Sequence, residues 1–276
     1  MRWSPQLEDA CSILSAVGRS DDDKVLVVLT RLARILLDTS ETALQVNDDP
    51  LLHMQASLSI RPLKSSLDLL KATLTEAQLR HSKSFFSQCL VRAYSSMIDT
   101  IVVYMHCTEA AIYELALVQP VGFLSPGLLN HDQLRIQHLT SCLQTCKVCI
   151  EVFLAASLIN ITTPSMLAFS YCLRIPYRIF TMQDSGLDQA LMRSMLDPAE
   201  CLERAAVEAD KANTVLKLET GEDSALKDAA EMMRAFLPQW RVPDLSVDDT
   251  CTSNSGADML LMDFPDDFWL EGMINL

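Results

Sequence analysis

The stretch from Ser84 to Val118 limits most strongly what this chain can become. It contains neither glycine nor proline, so nothing in it forces a break. At helical spacing, Phe86, Leu90, Tyr94, Met97, Ile101, Met105, Ile112 and Leu115 fall on one broad side. Gln88, Arg92, Ser95, Asp99, His106 and Glu109 collect on the narrower opposite side. Unbroken, such a helix runs roughly 50 Å, more than a small domain needs. An apolar arc that wide has to be covered by several neighbouring helices. The stretch therefore predicts an all-α fold, a multi-helix bundle with this segment as its central rod.

Composition agrees. Of 276 residues, 49% are hydrophobic and only seven are glycine, too few for the turns of a sandwich or barrel. The formal net charge is −14. Eight of the acids lie between Val242 and Leu276, a stretch without Lys, Arg or His. No basic stripe exists to meet phosphates, which argues against direct nucleic-acid binding by this chain. Nine cysteines, an odd number scattered through apolar helical patterns, read as free thiols in a reducing compartment. The first 18 residues are acidic where a signal peptide is basic, and no run of about 18 apolar residues appears. The expectation is a soluble, intracellular protein with no membrane partner.

Along the chain, a short helix is predicted over 4–17, after Pro5. Asp21, Asp22 and Asp23 precede a helix over 25–46 and suit its positive N-terminal end. A metal-diphosphate role for these three acids would need a further acid on the same face, where Val25, Leu26 and Val27 stand instead. Asn47 to Pro50 and Arg61-Pro62 mark turns bounding helices over 51–60 and 63–80. Prolines and glycines between 120 and 127 separate the central rod from a helix over 130–160. Pro164 opens a helix to Met182 that Pro176 should kink or split. Asp197 caps a helix over 199–218 that Gly221 ends, and a last helix covers 222–240. No internal repeat is visible.

No catalytic or cofactor constellation emerges. His138, Cys142, Cys146 and Cys149 share one helical face, but His138 and Cys149 are about 16 Å apart along the axis, too far for one tetrahedral metal. Their better reading is core packing, since cysteine behaves as a small hydrophobe. Phosphate loops, nucleophile elbows and paired metal-binding histidines are missing from the sequence. Glu109 and Glu114, five apart, do not share a face. The sequence accordingly predicts no catalytic, cofactor or metal site residues. The rival to a non-enzyme is a helical enzyme or ligand-binding protein with an apolar pocket and a C-terminal lid, its polar groups gathered around Asp99, His106 and Glu109.

The strongest functional signal is the C-terminus. Residues 242–258 have the small, polar, acidic composition of a flexible linker. Residues 259–276 interleave four acids with bulky residues. A short helix after Pro265 presents Phe264, Phe268, Trp269, Leu270 and Met273 to a hydrophobic groove on a partner, as disordered acidic segments do. The helical body preceding it spans residues 1–241.

Three stretches carry a resemblance. The central helix ends in TEAAIYELAL, with the pair Tyr113 and Glu114. The run from Leu139 to Leu196 has the landmarks Cys142, Phe153, Leu154, Pro164, Tyr171, Leu187 and Asp188. The ending MDFPDDFWLEGM is acidic and aromatic. In pattern and order these resemble the C-terminal regulatory part of fungal zinc-binuclear-cluster (Zn2Cys6) transcription factors, including their middle homology region. The resemblance implies a transcription regulator in the nucleus, control of a metabolic gene cluster, a coactivator partner for the tail, and room for a small-molecule effector. The family's six-cysteine zinc cluster and basic linker are not in this sequence, so no zinc-ligand or base-reading role passes to any residue. The expectation is either a regulator without that module or a fragment, with apolar surface left on the N-terminal helices.

Overall fold

The structure, a computed structural model, describes residues 4–17, 21–48, 53–74, 88–117, 129–181 and 187–240. Among these residues every regular element is helical and no strand occurs, so the fold is all-α. The chain divides into two compact units, Met1–Cys201 and Leu202–Leu276.

The first unit is built from α1 (Pro5–Val17), α2 (Asp21–Asp48), α3 (His53–Thr73), α4 (Gln88–Glu114), α5 (Leu129–Ala155), α6 (Thr163–Thr181) and α7 (Gln189–Met195). A 3-10 turn, Leu115–Leu117, continues α4. Helix α4 packs on α5 most extensively and also on α2, α3 and α6, the central position its breadth of apolar residues demands. Ile101, Ile112 and Leu115 are buried as the periodicity predicts, and so are Val103, Cys107, Ala110 and Ala111 from other sides of the helix. Phe86 and the side chains of Leu90, Tyr94 and Met97 lie outside the described residues.

On α5 the buried positions Arg135, Leu139, Cys142, Cys146, Cys149 and Phe153 recur at alternating steps of four and three, the seam of a helix packed along its length. The seam is narrow-waisted: thiols at its centre face the small residues of α4. Cys142 Sγ donates to the carbonyl of Ala110 at 3.3 Å and Cys149 Sγ to that of Val103 at 3.4 Å. A small hydrophobe with a weak donor suits close approach to another helix's backbone. At the far end of the seam, Phe153 stacks on Phe169 of α6, ring centroids 4.1 Å apart. Arg135 Nε donates to the carbonyl of Ala116 at 3.1 Å, a cation set against the carbonyl-rich end of α4.

One proline behaves otherwise than the sequence suggests. Helix α3 runs straight through Pro62, so Arg61-Pro62 is no turn. An interior proline costs a helix about 3 kcal/mol. Ile60, Leu67 and Leu70 are buried on one face of α3 at about 1.5–3 kcal/mol each, enough to outweigh it. Pro62 itself is exposed, where water can serve the carbonyl its ring leaves unpaired. Pro176 likewise leaves α6 unsplit, held within a run of buried Ile175, Ile179 and Phe180. Helix α2 begins at Asp21, so the three acids form its first turn, and Asn47 and Asp48 end it rather than follow it.

Short polar devices set the ends of α6 and α7. Thr162 Oγ1 accepts from Ser165 N at 3.4 Å, placing the start of α6 one residue before Pro164. Thr100, Thr162 and Ser165 join their hydroxyls at 3.0 Å each, fastening that start to α4. Asp188 caps α7, accepting from Leu191 N at 3.0 Å. Helix α7 packs against α5 and α6 and was not foreseen, being only seven residues long.

Helix α8 (Pro198–Thr220) is capped by Asp197, which accepts from Ala199 N at 2.8 Å. The second unit holds most of α8 together with α9 (Ala225–Trp240). Gly221, at φ 84°, donates its N–H to the carbonyl of Lys217 at 2.9 Å, a left-handed helix ending that glycine adopts without strain. The buried Asn213 accepts from Ser224 N at 2.7 Å and donates to Asp223 at 3.1 Å, clamping the turn. That contact, with Lys217 beside it, lowers the Asp223 pKa to about 2. Arg234 of α9 returns to Asp210 of α8 at 2.5 Å.

The N-terminal helices do show apolar surface: Ile13, Val17, Leu26, Leu44, Leu58 and Leu69 are each more than half exposed. The linker over 242–258 and the peptide over 259–276 lie outside the described residues.

Candidate functional site

Helix α4 carries two carboxylates near its C-terminal end, and the fold gives them different surroundings. Glu109 faces α3. Lys71 Nζ donates to its Oε2 at 2.5 Å and Lys64 Nζ lies 3.1 Å from its Oε1. Lys64 also pairs with Asp68 one turn along α3. Burial would raise the Glu109 pKa, but the hydrogen bonds and charges of Lys71 and Lys64 outweigh it and lower it. His106 Nδ1 stands 3.9 Å from Glu109, beyond hydrogen-bond reach. Burial, with Lys71 nearby, lowers the His106 pKa against the weaker pull of Glu109. Of the polar stripe the sequence suggested as an enzyme's working face, Glu109 is thus spent joining α4 to Lys64 and Lys71 of α3. The side chain of Asp99, its third member, lies outside the described residues.

Glu114 faces α6 instead. Tyr171 donates its hydroxyl to Oε2 and Arg178 its guanidinium to Oε1. Burial, then the adjacent Glu114 charge, pushes the Tyr171 pKa well up, so the phenol stays protonated and donates. Arg174 lies over the Tyr171 ring, 5.7 Å from its centroid. Arg178 is half exposed, so Glu114 meets solvent on one side.

Here the bundle leaves space. A cavity of about 400 Å³ opens between α2, α4 and α6, within the range of small-molecule sites. Leu36 and Ala43 of α2, Ala111 of α4, Leu115 of the turn that continues it, and Leu167 and Ala168 of α6 make its walls largely apolar. Its polar groups are few: the Glu114, Tyr171 and Arg178 cluster, the hydroxyls of Thr39 and Ser40, Tyr104, and the thiol of Cys107. Thr39 Oγ1 and Ser40 Oγ already donate to Ile35 and Leu36 carbonyls, at 2.7 and 3.0 Å. Burial raises the Tyr104 pKa, and that hydroxyl too remains a donor. An apolar body with a polar end fits this lining.

Behind Cys107 the thiols form a network. Cys172 hydrogen-bonds with Cys107, Cys146 and Cys149, which with burial raises its own pKa well above the usual thiol value. Burial opposes ionisation of Cys146, but contacts with the Cys142 and Cys172 thiols outweigh it and lower its pKa. Among the described residues no three His, Cys, Asp or Glu side chains converge as metal ligands. His138 stacks on Tyr113, centroids 5.8 Å apart, apart from the thiol seam, and burial lowers its pKa.

The landmarks of the resemblance fall on positions that hold the fold. Cys142, Phe153 and Leu187 are buried, Asp188 caps α7, and Tyr171 meets Glu114. The sequence singled out Tyr171 and Glu114 separately; their meeting across 57 residues carries no local signal. Phe264, Phe268, Trp269, Leu270 and Met273 lie outside the described residues. No helix among the described residues is long and apolar enough to cross a membrane.

No family model matches the sequence, and no solved structure does. The aligned part covers 71% of this chain and 32% of a curated relative, so the chain spans about a third of that protein's length. Over 206 residues it is 26% identical to that protein, Transcription factor opdL of Penicillium oxalicum (strain 114-2 / CGMCC 5302).

Proposed function

We propose that this chain is the regulatory and activation region of a fungal transcription regulator of the zinc-binuclear-cluster type. The observation that carries the reading is the similarity, over most of the chain, to a fungal transcription factor. The order of helical landmarks and the acidic, aromatic ending support it. In this reading residues 1–241 form a helical body related to the middle homology region, 242–258 a flexible linker, and 259–276 an activation peptide. Phe264, Phe268, Trp269, Leu270 and Met273 enter a groove on a coactivator while the intervening acids keep them in solution. The protein works in the nucleus, on a metabolic gene cluster, and needs no cofactor in this region. The cavity between α2, α4 and α6 is where a small-molecule effector acts on the body, because it joins an apolar wall to a few convergent polar groups.

The test is to fuse residues 242–276 to an unrelated DNA-binding domain and read a reporter. Activation is expected, with loss on Phe268→Ala plus Trp269→Ala. Full activation without those aromatics removes the mechanism.

A further inference from the structure

We infer that the cavity between α2, α4 and α6 takes an amphiphilic amine, a ligand whose apolar body fills the cavity and whose protonated amino end pairs with Glu114. The inference rests on the effector reading above and names the chemistry of the effector.

The hydrogen bonds around the cavity leave acceptors in excess. Among the described residues, four hydroxyl-bearing side chains line it: Thr39, Ser40, Tyr104 and Tyr171. Three have their protons committed, Thr39 to the carbonyl of Ile35, Ser40 to that of Leu36, and Tyr171 to Glu114. A hydroxyl oxygen that donates keeps lone pairs and still accepts. Tyr171 donates to one Glu114 oxygen and Arg178 to the other, and a carboxylate oxygen has room for a second hydrogen bond. The ligand suited to such a lining brings donors and no acceptor, which is what an ammonium group does.

The charges point the same way. The Glu114 side chain is 13% exposed and the Arg178 side chain 50%, so the shielded charge in the wall is negative and its balancing cation reaches solvent. Arg174, the other cation near Tyr171, lies over the ring of that residue and outside the lining. An ion pair with one half-exposed member is worth little, so a ligand's ammonium displaces Arg178 at small cost. A ligand carboxylate would instead stand beside Glu114 and the acceptor oxygens, where like charge opposes it. Leu36, Ala43, Ala111 and Leu167 receive the apolar body.

The experiment is isothermal titration calorimetry of the purified full chain with phenylbutylamine, and with phenylbutanol and phenylpentanoate as neutral and anionic ligands of matched body. The amine is expected to bind at least about ten-fold more tightly than either. Glu114→Gln removes that preference, and Arg178→Met, which frees Glu114 of a competing cation, tightens amine binding about three-fold. Glu109→Gln removes the same charge where it faces α3 and leaves amine binding unchanged, which separates the site from general attraction to an acidic chain. If circular dichroism shows Glu114→Gln unfolded, the test passes to Arg178→Met and to Ala43→Phe, which fills the cavity and abolishes binding. Tighter binding of phenylbutanol or phenylpentanoate, abolished by Ala43→Phe, overturns the amine assignment and leaves the effector cavity standing. Amine binding indifferent to Ala43→Phe, or weakened equally by Glu109→Gln and Glu114→Gln, overturns the assignment too. Binding of none of the three removes the cavity as an effector site as well.

Discussion

Glu109 and Glu114 leave the same helix five residues apart, with side chains equally shielded at 13% exposure. Yet one is a fastening and the other borders an opening. Glu109 is held by two lysines from α3, each about a quarter exposed. Glu114 is held by a half-buried phenol and a half-exposed guanidinium, and the cavity begins at its side. Shielding alone therefore does not distinguish a structural charge from a candidate site. What distinguishes them is the exposure of the cationic partner and the space beside Glu114.

The comparison breaks most readily on stability. Glu109→Gln leaves Lys64 and Lys71 facing each other without their shared counter-charge. Chemical denaturation should show a loss of about 2 kcal/mol, below the range for fully buried pairs because both lysines reach water. Glu114→Gln should lose about 1 kcal/mol, since Arg178 can turn to solvent and the amide oxygen still accepts from Tyr171. In the same variant the Tyr171 phenol should titrate at lower pH, read by ultraviolet absorbance, because a neighbouring negative charge is gone. Equal losses from the two variants would erase the distinction.

Acid sharpens it. His106 has a lowered pKa, so between that value and its unfolded value of 6.5 the unfolded chain binds more protons and stability falls as pH falls. His138 adds to the same slope. Glu109 contributes stability that is complete above its unfolded value of 4.5 and is lost as pH falls through its lower folded value. Denaturant midpoints from pH 7 down to 4 should therefore decline, and His106→Gln should flatten the upper part of that decline. The smallest effect belongs to the exposed cation: Arg178→Met should change stability by less than about 0.5 kcal/mol, against about 1 kcal/mol for Lys71→Met. A larger cost at Arg178 would make Glu114 a fastening too.

Helix identity was legible wherever periodicity ran long. The breadth of apolar residues on α4, the packing role of the α5 cysteines, the Asp197 cap and the Gly221 ending all follow from local rules. Pro62 misled because a local penalty was outweighed by burial of residues on either side. Helix α7 was missed because seven residues show barely two turns of pattern, although Asp188 before Gln189 is the capping signal that could have revealed it. The partners of Glu109 and Glu114 and the cavity itself were not legible. They arise where α2, α3, α4 and α6 meet, and no spacing within one helix encodes which neighbour it will find.

The most direct test of where regulation sits uses the whole chain fused to an unrelated DNA-binding domain. Reporter output is compared among the wild type, Glu109→Gln and Glu114→Gln at matched protein abundance. The account predicts that Glu114→Gln shifts output per molecule while Glu109→Gln leaves it unchanged. A shift from Glu109→Gln alone, or from neither, contradicts it.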